Sequence, residues 1–353
     1  MNMNKFIYIG LAILVTTTVA SALLLSQNWP SKELQLVPSR GFLKVAEPIK
    51  EFKILAVGDI MLGRFVETLS NRHGSDYAFS LLDGLFAGHE VVIGNLEGPI
   101  VSNHSQTPDF TTSFSFKSSV ANDLKSAGFS HLTVANNHTF DRGEGAFAET
   151  QKFLGEAGLK YFGHPRKALA DLVLKEEVNS VNVIWIGLNE AVSKFFDEFE
   201  SVKLISELQA EYPDHLIVLN IHWGYEYKLV SNQFQKEFAQ KAVAAGADLI
   251  LGHHPHVVQE VDLIDGKLVF YSLGNFIFDQ YFSKDTQVGL AVSLNVSESG
   301  IQSAKLIGLE IDKSRPKIME PTENELFLKE LADRSNPNLK DQINAGEINL
   351  TLN

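Results

Sequence analysis

Residues 248–256 read Asp-Leu-Ile-Leu-Gly-His-His-Pro-His (DLILGHHPH), an apolar run that stops at Gly252 and then delivers three histidines within four positions. The stiff run fixes where the chain emerges. Gly252 permits a sharp turn or a close approach, and Pro255 restricts the backbone between His254 and His256. Two imidazoles two residues apart on extended backbone point the same way and can share one site. A lone histidine reads as an exposed ring in a turn; three together after a buried strand point to a metal ion.

Working outward, the same punctuation recurs. KILAV runs into Gly58-Asp59, VVI into Gly94-Asn95-Leu96-Glu97, HLTVA into Asn136-Asn137-His138, and HLIVLNI into His222-Trp223-Gly224. The apolar runs predict strands over Lys53 to Gly58, Val91 to Gly94, His131 to Ala135, Val183 to Leu188, His215 to Ile221, Asp248 to Leu251 and Leu268 to Ser272. Helices are expected over Gly143 to Ala157, over Asn232 to Ala245 with Gly246 as C-cap, and around Glu323 to Arg334 with loose sequence after it. This alternation is that of an α/β domain with a largely parallel or mixed core sheet. In such a sheet the carboxyl ends of the strands share one edge, where ligands bind. Each residue has a plainer role available: Asp59 as a helix cap, Asn136 and Asn137 as turn formers, His222 as a core histidine beside Trp223. Five strands ending in ligand-type side chains make one shared site the better reading.

The 353 residues carry a formal net charge of -13, which excludes a nucleic-acid surface built on clustered Lys and Arg. An anionic substrate would be repelled except where a cation or a local basic patch reverses the field. With no cysteine, any metal must be held by His, Asp, Glu and Asn, a set that suits Mn, Fe or Zn at a hydrolytic centre. Phe6 to Leu25 is uncharged and mainly apolar (FIYIGLAILVTTTVASALLL) and long enough to cross a bilayer. Lys5 on its short side places the rest of the chain outside the cytoplasm. Ala20-Ser21-Ala22 resembles a cleavage site, so secretion after cleavage is the alternative, but the three leucines that follow favour an uncleaved anchor. The expected organisation is an N-terminal anchor helix over 1–28, a linker over 29–50, the main domain over 51–315 and a C-terminal extension over 316–353.

GDIMLGR at 58–64, NLEGPI at 95–100, ANNHTFDRG at 135–143, HWGYEY at 222–227, GADLILGHHPHVVQ at 246–259 and FYSLGNFIFD at 270–279 resemble the CapA family of poly-gamma-glutamate capsule synthesis. That family is similar to the calcineurin-like metallophosphoesterases. The resemblance implies a four-layer α/β/β/α sandwich and a centre of two divalent ions. Asp59 would ligate one, Asn137 and His222 the other, with His254 and His256 divided between them. It implies His138 as general acid or transition-state stabiliser, oriented by Asp141. Water activated by the two ions would attack in line, with a phosphodiester as the favoured substrate class and an amide as another. Two departures stand out. Met61 occupies the place of a histidine ligand, and Asn95 that of the bridging Asp. Glu97, on the same side of an extended segment, would restore the missing charge. Arg64 and Arg142 are candidates to bind an anionic substrate. The implied roles are a hydrolase acting on capsular polymer or a phosphoester, or a non-catalytic, membrane-anchored component of a capsule synthesis or export complex that keeps a vestigial or polymer-binding metal site. In either case other membrane subunits are expected partners.

Overall fold

The structure, a computed structural model, describes residues 50–350 except Leu169, Asp171 and Leu172. The expected anchor lies outside the described residues, as does all of the linker but Lys50. Among the described residues no helix is long and apolar enough to cross a membrane.

The strands of the first half are β1 (Glu51–Ile60), β2 (Val91–Leu96), the two-residue β3 (Ile100–Val101) and β4 (Phe116–Lys117), β5 (His131–Thr133), β6 (Lys160–Phe162), β7 (Leu174–Val178) and β8 (Val181–Asn189). They continue with β9 (Leu216–His222), β10 (Leu249–His253), β11 (Val261–Ile264), β12 (Lys267–Phe270), β13 (Asn275–Ile277), β14 (Val288–Ser297), β15 (Gly300–Asp312), β16 (Arg315–Ile318) and β17 (Glu347–Asn349). Two mixed sheets result. One has the order β16-β15-β14-β1-β2-β5-β6, with β13 beside β1 and β17 beside β15; the other runs β11-β12-β10-β9-β8-β7.

Burial on both faces explains why the central strands read as unbroken apolar runs rather than alternating ones. Along β1, Phe52, Ile54 and Ala56 join a core shared with Val218, Leu249, Leu251 and Phe270 of the other sheet. The intervening Leu55 and Val57 face the opposite way, toward Leu124 of helix Val120–Ala127 and Leu154 of helix Gly143–Glu156. On the far side of the second sheet, Ile186, Leu219 and Ile250 pack with Ile205 of helix Glu198–Glu211 and Phe238 of helix Gln233–Ala244. The layers therefore run helix, sheet, sheet, helix. A polar clasp also joins the sheets: Glu176 on β7 accepts from Trp185 Nε1 at 2.7 Å and pairs with His131 Nε2 of β5 at 2.6 Å.

The predicted helix from Asn232 begins as expected. Asn232 accepts from the Gln235 backbone and Gln235 Oε1 accepts from the Asn232 backbone, both at 2.9 Å, a reciprocal cap. Loose sequence after Arg334 is corrected by the structure. Helix Pro321–Arg334 buries Phe327, Leu328 and Leu331 in the core between the sheets, and β17 pairs with β15. The described tail, to residue 350, is thus part of the same compact unit as the rest of the described residues.

Candidate metal centre

The strand pairings bring the predicted donors together. Asp59 on β1 lies opposite Asn95 on β2 and Asn275 on β13, and His222 on β9 lies opposite His253 on β10. Register shifts flank Asp59 on both pairings, the kind of irregularity that re-aims a side chain at a strand end. Gly252 serves close approach rather than a turn: a Cβ there would sit 2.0 Å from the Tyr271 carbonyl oxygen. The turn falls on the histidines. His254 has φ 98° and His256 φ 57°, left-handed backbone that costs a non-glycine residue about 1–3 kcal/mol and concentrates where function demands it.

Asp59, Asn95, Glu97, His222, His253, His254 and His256 are all buried. Asn95 Nδ2 donates to Asp59 Oδ1 at 2.9 Å and lies 3.2 Å from His222 Nδ1, while Asn95 Oδ1 accepts from Asn136 Nδ2 at 3.0 Å. Asn137 Oδ1 is 2.7 Å from His222 Nε2. His256 Nδ1 lies 3.0 Å from Asn275 Oδ1 and 3.3 Å from Asp59 Oδ2. That pairing fixes the tautomer and presents Nε2 to the centre, where it is 3.6 Å from Glu97 Oε1. His138 Nδ1 is 2.9 Å from Asp141 Oδ2, its Nε2 is 3.8 Å from Glu97 Oε1, and its ring stacks on Phe114 at 4.1 Å. Asp141 in turn accepts from the Phe114 backbone at 2.6 Å.

The electrostatics are those of a site with unmatched charge. Burial drives Asp59 upward, yet hydrogen bonding and charge from His253 and His256 outweigh it and hold the carboxyl well below its usual range. Burial raises Glu97 to about 7. Burial would depress His256, but the Glu97 and Asp59 carboxylates lift it to about 9. Burial and the neighbouring His256 push His254 down to about 3, and burial with His254 lowers His222. Neither Glu97 oxygen has a hydrogen-bond partner, nor do His253 Nε2 and His254 Nδ1. Buried polar atoms are rarely left so. Ligand atoms of Asp59, Glu97 and His222 lie within 4.8 Å of one another, so the residues fit a divalent cation. The fold adds a plausible ligand that the strand-end pattern does not single out, since Glu226 converges equally closely on His254 and His256.

Other predicted residues are placed differently. The Arg64 guanidinium pairs with Asp279, donates to Thr111 O at 3.2 Å and lies over Phe114 at 4.9 Å, one ring away from His138. Arg142 is exposed at the start of helix Gly143–Glu156 and lines a separate hollow with Ser102, Ser115 and Glu149. Trp223 is a core residue, its Nε1 donating to Tyr271 O at 2.8 Å, whereas Tyr225 and Tyr227 are exposed. Sequence reasoning missed His253, Glu226 and Glu190, which lines the mouth of the centre and accepts from the Gly224 backbone at 3.1 Å. His253 had its place in the triple-histidine run as a signal; Glu226 had only its position in HWGYEY.

Residues 53–280 match the family model described as bacterial capsule synthesis protein PGA_cap. The chain is 31% identical over 324 residues to the capsule biosynthesis protein CapA of Bacillus anthracis, covering 86% of this chain and 77% of that one. It is 31% identical over 277 residues to the PGA biosynthesis protein CapA of Bacillus subtilis (strain 168), covering 74% and 72%. Among solved structures, the purple acid phosphatase PPD1 from yellow lupin seeds aligns with 65% of this chain and 52% of its own at 10% identity and a TM-score of 0.32, an overlap too slight to build on.

Proposed function

The chain belongs to the bacterial capsule synthesis protein family PGA_cap, and on that premise we propose that it serves poly-gamma-glutamate capsule biosynthesis as a metal-dependent hydrolase of metallophosphoesterase type at the cell envelope. Glu97 carries the catalytic part of this reading. It is a fully buried carboxylate whose two oxygens accept no hydrogen bond. Burying such a charge costs several kcal/mol unless a cation compensates it. Asp59, Asn95, Glu97, Asn137, His222, His254 and His256 offer oxygen and imidazole donors suited to Mn, Fe or Zn, and we assign two ions to them. Bound there, such ions supply Lewis acidity and a water acidic enough to attack near neutral pH.

The chain's own residues do the remaining work. Asp141 holds Nδ1 of His138, so that Nε2 faces the centre, where it can protonate a leaving oxygen. The Phe114 ring covers one face of that imidazole and keeps water from it. Asn136 accepts from the His138 backbone at 3.1 Å and fixes where the ring departs from the chain. The apolar segment Phe6 to Leu25 supports single-pass anchoring with the domain outside the cytoplasm, beside the polymer and any membrane subunits of a capsule synthesis complex.

Metal analysis of the purified chain, followed by assays on a chromogenic phosphodiester and on polyglutamate, tests this. Close to stoichiometric Mn, Fe or Zn is expected. His138→Ala should keep that metal and lose turnover by about 10²- to 10⁴-fold. Folded protein that binds none of the three ions and gains no turnover when they are added would refute the reading. One observation favours a second reading, a polymer-binding site without turnover: Asn95 is neutral and already committed to Asp59, His222 and Asn136. Full metal content with no hydrolysis of any polymer or phosphoester would select it.

A further inference from the structure

We propose that Glu226 is a metal ligand and that, with His254 and His256, it holds a second cation at the mouth of the centre, loaded and emptied separately from the buried position formed by Asp59, Glu97 and His222. The ligand atoms of Glu226, His254 and His256 lie within 4.8 Å of one another, as do those of the buried trio. His254 Nδ1 is buried and has no hydrogen-bond partner. His256 offers Nε2 because Nδ1 is engaged by Asn275 and Asp59.

Glu226 is exposed, yet the segment that carries it is built rather than loose. Trp223 N donates to His253 O at 3.0 Å, Tyr227 N donates to Pro255 O at 2.8 Å, and Gln259 Nε2 donates to Lys228 O at 2.8 Å. Gly224 takes φ 87° and Tyr227 φ 61° to make the bend. The chain thus closes over the histidine turn at two backbone points that bracket Glu226. A carboxylate held this way beside two imidazoles is a donor set for a divalent transition ion.

The charge of the surroundings agrees. The hollow that opens onto His254, about 460 Å³, is lined by Asn137, Glu190, Tyr225 and Glu226 among others, with no lysine or arginine in its wall. On a chain of net charge -13, an anionic group can enter such a mouth only if a cation reverses the local field. The outer ion would do so and would be the one that meets substrate, while Glu97, 3.6 Å from His256 Nε2, stands between the two positions.

This rests on the metal-centre reading above, and the experiment separates the two. The full chain, stripped with chelator, is titrated with MnCl2 alone, with bound Mn counted by mass spectrometry and affinities measured by calorimetry. Wild type should bind two Mn per chain. Glu226→Gln, an exposed substitution that leaves the metal-free melting temperature unchanged, should retain one and bind the other at least about 10- to 100-fold more weakly; His222→Ala should lose the opposite one. Two Mn of unchanged affinity in Glu226→Gln would overturn the proposal. So would a wild type that binds one Mn regardless of residue 226, although the metal-centre reading would then stand. A wild type that binds none would overturn both.

Discussion

Glu97→Gln is the perturbation that bears most directly on the centre. Glu97 is fully buried and burial raises its carboxyl from 4.5 to about 7, which amounts to roughly 3 kcal/mol against the ionised form in the folded state. Because the folded pKa lies above the unfolded one, the penalty is absent below about pH 4.5, grows as pH rises and is complete above pH 7. His256 works in the same direction. Its folded value of about 9 exceeds 6.5, so its stabilising share is present at low pH and lost as pH climbs toward 9. In the chelated wild type these two contributions decline from pH 5 to pH 8, while the depressed His254 and His222 work the other way, costing stability at pH 5, so the Glu97 share is read as a difference in slope between wild type and Glu97→Gln. For about 300 folded residues, with an unfolding entropy near 0.6 kcal/mol/K, 3 kcal/mol corresponds to about 5 °C. Relative to wild type, Glu97→Gln should gain stability from pH 5 to pH 8, since it removes the titrating group and also the charge that does most to lift His256. With Mn, ligands must be deprotonated to bind, so the stabilisation on adding Mn should grow from pH 5 to pH 8 in wild type. Calorimetric melting across that range, with chelator and then with Mn, reads both effects. An equal slope in the two proteins, or a Mn-induced shift that is independent of pH, would refute the reasoning.

Three other outcomes follow from the fold. Burial opposes the ionisation of Glu176, but His131, Lys160 and Trp185 outweigh it and hold the carboxyl at about 2 against 4.5; that stability is present above pH 4.5 and lost as pH falls toward 2. Allowing for solvent around Lys160, Glu176→Gln should cost about 2–3 kcal/mol at pH 6 and give a shallower acid limb in guanidinium titrations; an unchanged midpoint would remove the clasp between the sheets from the account. Gly252→Ala would place its Cβ 2.0 Å from the Tyr271 carbonyl, so unfolding free energy should fall by the upper end of the roughly 1–3 kcal/mol typical of overpacking, and an unaltered melting temperature would contradict the close approach. Leu331 is fully buried, and Leu331→Ala should cost about 2–5 kcal/mol in the single main transition; a silent substitution would mean that the C-terminal helix does not stabilise the domain.

The sequence made the strand-end donors legible because each sits at the junction of an apolar run and a polar residue, and register does the rest. Asp59, Asn95 and Asn275 are neighbours on three adjacent strands, and His222 and His253 on two. What stayed hidden depends on contacts with no sequence period. Arg64 looks like a free cation until Asp279, 215 positions away, is found paired with it. The strands Val288–Ser297 and Gly300–Asp312 mix polar and apolar residues because one side of their hairpin is partly open, and the C-terminal helix shows its apolar face only once there is a core for Leu328 and Leu331 to enter. Glu226 is invisible for a similar reason: its role depends on backbone bonds that fold its segment over the histidine turn.

The departures at Met61 and Asn95 take on a different weight in three dimensions. Strand alternation would put residue 61 on the same side as Asp59, but the register shift after Asp59 sends Met61 into the apolar core outside the first sheet, where its sulfur accepts from the Gly63 backbone at 3.1 Å. An imidazole stands beside Asp59 all the same, since His253 Nδ1 is 3.2 Å from Asp59 Oδ1. It comes from the end of β10, and its Nε2 lacks a hydrogen-bond partner. The imidazole that the resemblance expects two residues after Asp59 would thus be supplied from the other sheet. Asn95 is different in kind. Its amide bonds to Asp59 and Asn136 and contacts His222, so it organises these side chains without charge, and under the proposed reading the negative charge of a bridging position would fall to Glu97. The proposed chemistry therefore turns on Glu97 far more than on Met61.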